Sequence, residues 1–223
     1  MTTMLDAAPS VSSHLHPTTS WDVADHPVPT GREEVWRFTP VDKLEPLFVD
    51  ALSGDNLAWE TRLPDGVRLE PISAGEATRL SVDAPVDRIA AVAARNAGYA
   101  AHLQIPAGAD LAEPILIAGT GHGDHVYEHF VITVGEGARA TLVLRYHGDA
   151  AFSAKTDVRV GQGASINVVT VAYWDDTALH GGQTSYLVGR DASVRTVAVT
   201  LGGAVVRLVD RARFDGPGGS IEQ

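Results

Sequence analysis

The 223-residue sequence contains no cysteine, and this absence excludes several kinds of chemistry. Disulfide bonds, thiolate nucleophiles and cysteinyl ligands for zinc or iron–sulfur clusters all require a thiol. Any part that these residues play in metal or cluster chemistry must therefore depend on histidine, on carboxylates or on the thiols of a partner.

Basic charge and long apolar runs are also scarce. The formal net charge is −11, which disfavours nucleic acid and anionic membranes as partners because both attract basic surfaces. No stretch approaches the roughly 18 consecutive apolar residues of a membrane-spanning helix, and the N-terminus lacks the basic-then-apolar order of a signal peptide. We therefore expect a cytoplasmic protein that binds neither nucleic acid nor membrane.

The first part of the chain divides into a predicted tail and a predicted region of short helices, with one short alternating stretch at residues 67–70. Residues 1–30 are rich in Ser, Thr, Pro and His and lack apolar periodicity, so we predict a disordered tail. Residues 31–98 form a predicted N-terminal region with short helices over about 40–49 and 86–96. The histidines of the predicted tail, which we interpret as solvated, are His14, His16 and His26.

From about residue 99 onward, short alternating strands are separated by a repeated turn. The repeat begins with an apolar residue, continues through turn-forming and small residues, and often ends on another apolar residue. Its five copies cover residues 105–111, 134–140, 160–166, 188–194 and, imperfectly since it begins with Asp215, 215–221. Their fifth positions lie 29, 26, 28 and 27 residues apart. A fixed period in this range is typical of solenoids and favours a parallel β-helix over an antiparallel sandwich.

One strand gives a testable expectation about its two faces. Val197, Val199 and Leu201 alternate with smaller or polar residues. Because a strand at the wall of a β-helix buries one face, we expect these three side chains to point inward.

Four segments, taken in order, resemble the SufD family of iron–sulfur cluster assembly proteins. Residues 29–39 place a proline and two glutamates before Trp-Arg-Phe-Thr, and residues 105–117 contain Ile-Pro-Ala-Gly-Ala followed by Glu-Pro-Ile-Leu-Ile. The turns at Val134 and Val160 are similar to that family's coil repeats. Residues 201–207, Leu-Gly-Gly-Ala-Val-Val-Arg, resemble its Gly-Gly-x-x-x-Arg strand.

The resemblance implies a right-handed parallel β-helix and a non-enzymatic subunit of a SufBCD-like complex. In such a complex the chain would pair with a SufB-like paralogue and an ABC-type ATPase similar to SufC, and the complex would assemble the clusters. The lack of cysteine favours SufD over SufB, which shares the fold. This chain alone is expected to bind no cofactor or metal, and no residue is assigned a catalytic role.

The resemblance also bears on the length of the chain. Members of the family continue past the Gly-Gly-x-x-x-Arg strand through further coils and a helical C-terminal domain, where the contacts with both partners are expected. We therefore expect a truncated β-helix that binds these partners poorly and self-associates through its exposed last rung.

A rival interpretation is a metal-dependent β-barrel enzyme of the cupin type. Its ligands would be His122, His125 and Glu128, but their spacing is His-x-x-His-x-x-Glu, whereas cupin sites begin with His-x-His. A carbohydrate-binding β-helix is a third possibility, and it would require more exposed aromatic residues than a chain with 6% aromatics supplies.

Overall fold

The computed structural model describes residues 18–51 and 54–223, and its main feature is a β-helix with two walls. The first wall is a six-stranded sheet in the order β1-β4-β6-β8-β10-β12, and the second is a six-stranded sheet in the order β11-β9-β7-β5-β3-β2. From β3 onward the chain alternates between the two walls and pairs in parallel with the strand one coil earlier. The parallel register confirms the β-helix and excludes the antiparallel sandwich.

The strand bounds show how regular the coils are. The strands are β1 Ala58–Arg62, β2 Arg68–Ile72, β3 Ala100–Ile105, β4 Ile115–Gly121, β5 Val126–Val134, β6 Arg139–Gly148, β7 Ala151–Val160, β8 Ser165–Trp174, β9 Leu179–Gly189, β10 Ser193–Leu201, β11 Val205–Asp215 and β12 Ser220–Glu222. Two of them, β1 and β2, pair antiparallel with β4 and β3 and so close the first coil. The division of the chain near residue 98 into two regions stays a prediction.

The repeated turn owes its composition to one backbone conformation. The fourth position of all five copies has a positive φ: 70° at Gly108, 66° at Gly137, 66° at Gly163, 54° at Asp191 and 78° at Gly218. Side chains with a Cβ rarely adopt this conformation, and Gly and Asp are among the residues that tolerate it. The small fifth residue is fully buried in the three central copies, so a larger side chain has no room there.

The N-terminal region forms a layer over the outer face of the second wall. It contains the 3-10 helices Val23–Asp25, Glu34–Trp36 and Val41–Phe48 and the α-helices α1 Ala74–Leu80 and α2 Arg88–Asn96. A Cβ on Gly181 of β9 would lie 2.8 Å from Ile89 and 2.9 Å from Leu47, so the layer packs directly on the strand backbone. No helix in the described ranges is both long and apolar enough to cross a membrane.

Of the two predicted helices, one is confirmed and the other is a 3-10 helix, and a further helix was not predicted. The helix predicted over 86–96 is confirmed as α2, whose N-cap is Asp87. The helix predicted over 40–49 is a 3-10 helix that contains Pro46, which lacks the N–H that an α-helix would use. Helix α1 was not predicted, although Ser73 and Glu76 form a capping box at its start.

Part of the predicted disordered tail is ordered. Residues 1–17, with His14 and His16, lie outside the described residues, but residues 18–30 pack against the layer. Val23 is buried, and the Arg88 guanidinium donates hydrogen bonds to the carbonyl oxygens of Val23 and His26 at 3.3 and 2.9 Å. The prediction was wrong for 18–30 because it relied on apolar periodicity, whereas this segment is held by the buried Val23, which packs on Ala91 and Val92, and by the hydrogen bonds from Arg88.

The expected orientation of β10 is also wrong. Val197, Val199 and Leu201 are 46%, 42% and 48% exposed on the outer face of the first wall. The inward positions are those in phase with Val194, which pairs with the buried Ile166 of β8. The error arose because β-branched residues also occupy an outer face that no other part of the described chain covers.

The two faces of β10 predict different costs of truncation. Val194→Ala should lower the free energy of unfolding by about 1–3 kcal/mol, because it leaves a cavity inside the β-helix. Val199→Ala removes the same two methyl groups from the exposed face and should cost less than about 0.5 kcal/mol. Urea unfolding followed by circular dichroism measures both, and equal losses would contradict the assignment of faces.

Candidate functional site

The three residues of the cupin interpretation do not come together. His122 is exposed and its Nδ1 lies 2.7 Å from Asp149 Oδ1. The ring of His125 stacks beside that of Tyr127 at 6.4 Å, whereas Glu128 points into the β-helix. Within the described part of the chain, no three His, Asp or Glu side chains are placed to hold one metal ion. The cupin interpretation is therefore wrong.

Polar side chains instead gather at two places, one inside the β-helix and one beneath the N-terminal layer. The inner group follows from the alternation of each strand. On β5, Val126, Phe130 and Ile132 are buried in the core, and Glu128 shares their face. A carboxyl group is thus placed among aliphatic and aromatic side chains.

Glu128 has one polar neighbour inside the core. The Tyr146 hydroxyl donates a hydrogen bond to Glu128 Oε1 at 3.4 Å, and Glu128 Oε2 is buried without a hydrogen-bond partner. Burial raises the pKa of Glu128 to about 8, and the hydrogen bond from Tyr146 offsets this only in part. The carboxyl group is therefore neutral at pH 7 in the folded protein.

An aromatic cluster next to this carboxyl group holds a neutral histidine. The cluster consists of four rings whose centroids lie within 6.1 Å of one another, those of Tyr146, Phe152, Trp174 and His180. The Trp174 indole N–H donates a hydrogen bond to His180 Nδ1 at 3.2 Å, and burial lowers the pKa of His180 to about 4. Both shifts have the same cause, the low dielectric of the core.

Beyond the aromatic cluster the core contains a small cavity with apolar and polar walls. Its volume is about 70 Å³, and its walls come from both sheets. The polar side chains that line it include Thr156, Thr170, Thr184, Tyr186, Thr196 and Asp210. Partial burial raises the pKa of Asp210, which lies on the exposed edge strand β11.

The second polar group lies on the outer face of the same strands. Lys155 Nζ is 2.7 Å from Asp157 Oδ1, and His129 Nε2 is 3.5 Å from Asp157 Oδ2, with all three side chains almost fully buried. Burial alone would raise the pKa of Asp157, but hydrogen bonding from His129 and the charge of Lys155 lower it to about 2. Burial lowers the pKa of both His129 and Lys155.

Sequence reasoning missed both groups. The alternation of β7 places Lys155, Asp157 and Arg159 on one face, which is the usual sign of a solvated surface. That this face is covered depends on the distant N-terminal layer, and nothing local to the strand indicates it. Glu128 was considered only as a metal ligand, although its phase with Phe130 and Ile132 could have placed it in the core.

Comparison with known proteins gives consistent matches. Residues 116–223 match the family model described as SUF system FeS cluster assembly, SufBD core domain. An iron–sulfur cluster assembly SufBD family protein of Mycobacterium leprae is 34% identical over 206 residues, which are 91% of this chain and 53% of the relative. An iron–sulfur cluster assembly SufBD family protein of Mycobacterium tuberculosis is 31% identical over 206 residues, which are 91% of this chain and 52% of the relative. The chain spans about half the length of the curated relatives it matches.

Glu128 predicts an unusual dependence of stability on pH. The unfolded chain loses this proton near 4.5, whereas the folded protein keeps it to about 8. The folded pKa is the higher one, so this residue's contribution to stability is lost as the pH rises between these values. Compared with Glu128→Gln, the wild type should lose on the order of 3 kcal/mol between about pH 5 and pH 8.

Urea unfolding of both proteins at the two pH values tests this expectation, since the other titrating groups cancel in the difference. Glu60→Gln, on the exposed strand β1, is the matched control and should show no such trend. A difference between wild type and Glu128→Gln that is the same at both pH values would contradict a buried neutral carboxyl group.

Proposed function

Because this chain belongs to the SufB/SufD family of iron–sulfur cluster assembly proteins, we propose that it is a non-enzymatic scaffold subunit of a SufBCD-like complex in the cytoplasm. It would pair with a SufB-like paralogue and work with a SufC-like ATPase, while the complex as a whole assembles clusters. The observation that carries the proposal is the match of the parallel β-helix to the SufBD core, within a similarity that covers 91% of the chain.

The chemistry of the described residues supports a scaffold role. The sequence has no thiol to hold a cluster, and the ionisable side chains at the centre of its two polar groups are shielded from solvent. Glu128 is enclosed in the core, and Lys155 and Asp157 lie under the N-terminal layer. We therefore propose that this chain alone binds no cofactor and that cluster ligands come from its partners. The lack of cysteine favours a SufD-like over a SufB-like role.

We further propose that the partner contacts lie mainly in the half of the relatives that this chain does not match. The 223-residue chain, coexpressed with the SufB-like and SufC-like proteins of its own genome, should then copurify with them weakly. A full-length mycobacterial relative should copurify strongly with its own two partners, because it carries the additional half.

The control is the same relative cut to the span that aligns with this chain, which should lose both partners. Retention of both partners by the cut relative would contradict the proposed location of the contacts. Failure of the full-length relative to bind either partner would contradict the scaffold role itself.

The edge of the second wall predicts self-association of the 223-residue chain. Strand β11 pairs with β9 along one side, and no described strand pairs with its other side. Its inward-facing Leu208 and Phe214 are 43% and 52% exposed. An open strand edge with apolar side chains favours pairing with another copy, so we expect dimers or larger species at micromolar concentration.

Sedimentation velocity measures this self-association. Leu208→Lys should shift the protein toward monomer, because a lysine at a sheet edge disfavours pairing. Tyr173→Lys, at a similarly exposed side chain on β8, which is paired on both sides, is the control and should not. A monomeric wild type would contradict the expectation.

A further inference from the structure

Residues 81–87, which we call the strap, connect α1 to α2 and run across the outer face of the second wall. The strap passes β5, β7 and β9 and reaches β11, and it contacts polar side chains on all four strands. These side chains are His129, Asp157, Arg159, Gln183, Arg207, Arg211 and Arg213. The strap is thus held by many hydrogen bonds and ion pairs, and its buried apolar side chains are Val82 and Pro85.

The first half of the strap is bound to the Lys155–Asp157 group. The Val82 backbone N–H donates to Asp157 Oδ1 at 2.9 Å, and the Arg213 guanidinium donates to the Val82 carbonyl oxygen at 2.6 Å. Asp83 Oδ1 forms an ion pair with Arg213 Nε at 3.2 Å. Val82 is therefore held by side chains from two different strands, β7 and β11.

The second half of the strap ends at Arg207. The Val86 backbone N–H donates to Gln183 Oε1 at 2.9 Å, and Asp87 Oδ2 lies 2.7 Å from Arg207 Nη1. The Arg207 guanidinium lies 3.6 Å from the centroid of the Trp36 ring, an arrangement that lysine reproduces poorly. Arg207 thus joins the strap to the Trp-containing segment at residues 29–39, so two of the segments that resemble the SufD family meet at this point.

The helices on both sides of the strap are held differently. Ile89 of α2 packs with Leu44 and Leu47 in one apolar cluster, and Ala77 of α1 packs with Ala100 and Val131 in another. In the described part of the chain, no residue of the strap belongs to an apolar cluster. Val82 of the strap is itself 6% exposed. Transfer of the helices to water would expose two apolar clusters, whereas transfer of the strap would hydrate its charged groups and expose little apolar surface beyond Val82 and Pro85.

The polar contacts beneath the strap are also incomplete. Asp83 Oδ2 meets Arg211 Nε only at 3.7 Å, and Asp157 Oδ2 meets His129 Nε2 only at 3.5 Å. Among the described residues, His129 Nδ1 is buried without a hydrogen-bond partner. Such atoms raise the free energy of the closed arrangement relative to one in which water reaches them. The closed strap therefore carries a penalty that the two flanking helices do not share.

We propose that the strap opens as a local unit while α1 and α2 stay docked, and that Arg207 is its latch. When it opens, the carboxylate of Asp83 leaves Arg211 and Arg213, and Asp87 Oδ2 leaves Arg207, while Asp87 Oδ1 keeps accepting the N-cap hydrogen bond of α2. The outer face of the second wall then presents these three arginines together with Lys155 and Arg159, beside the carboxylate of Asp157, as a basic strip on a chain whose net charge is −11. The device lies within the SufBD core and its N-terminal layer, and it does not depend on which partners the chain has.

Native-state hydrogen exchange of the 223-residue protein tests the local opening. The amides of Val82 and Val86 should exchange at least about tenfold faster than that of Ala93, in the middle of α2, because their protection does not require global unfolding. Low concentrations of urea should accelerate exchange of the Ala93 amide and leave the exchange rates of the two strap amides almost unchanged. A common rate with a common urea dependence for all three amides would overturn the proposal.

The latch is tested by Arg207→Lys. This substitution keeps the charge but weakens the stacking on Trp36 and the directed hydrogen bond to Asp87, so Val86 exchange should rise about tenfold while Ala93 stays unchanged. Arg195→Lys, in an exposed pair with Glu222 on the opposite wall, is the matched control and should alter neither amide. An equal rise at Val86 and Ala93, or no rise at either, would overturn the role of Arg207.

Discussion

Parallel stacking of each coil on the previous one is the constraint on which the rest of the molecule depends. It requires the chain to turn in the same way at each rung, and the positive φ at the fourth position of all five turn copies meets that need. Once the turns are in register, strands one coil apart must pair residue by residue, as Val134 does with Val160 and Val160 with Val188. Inward residues then stack into columns, and the core follows from the turns.

The same stacking creates two outer faces, and the described part of the chain covers one of them and leaves the other partly exposed. Parallel sheets are normally covered on both sides, because their strands rarely alternate cleanly between apolar and polar residues. The N-terminal layer covers one wall, and Gly181 allows its helices to approach the strand backbone. The other wall leaves Val197 and Val199 partly exposed. Covering the second wall has a cost, because its polar side chains, including Lys155 and Asp157, lose water and must find partners in the layer.

The repeat explains how much of this architecture could be predicted from sequence. Turn spacing of 26 to 29 residues indicated the solenoid. The phase of β10 failed since valines occupy both of its faces, and it could have been taken from Val194 at the end of the repeat. The Lys155–Asp157 group could not be predicted, because its burial depends on residues 81–87, more than 60 positions earlier.

Alternation along β5 and β7 finally explains how one pair of strands carries two electrically distinct sites. Glu128 and His129 are neighbours in sequence, yet one faces the core and the other faces the strap. Inside, the carboxyl group lacks a cationic partner, and burial keeps it protonated near neutral pH. Outside, Lys155 and His129 keep Asp157 ionised. The inner site can change its charge only by admitting water to the packed core, whereas the outer site needs only the strap to move. Any response of this protein to charge or to a charged partner should therefore begin at the strap, while the β-helix beneath it stays intact.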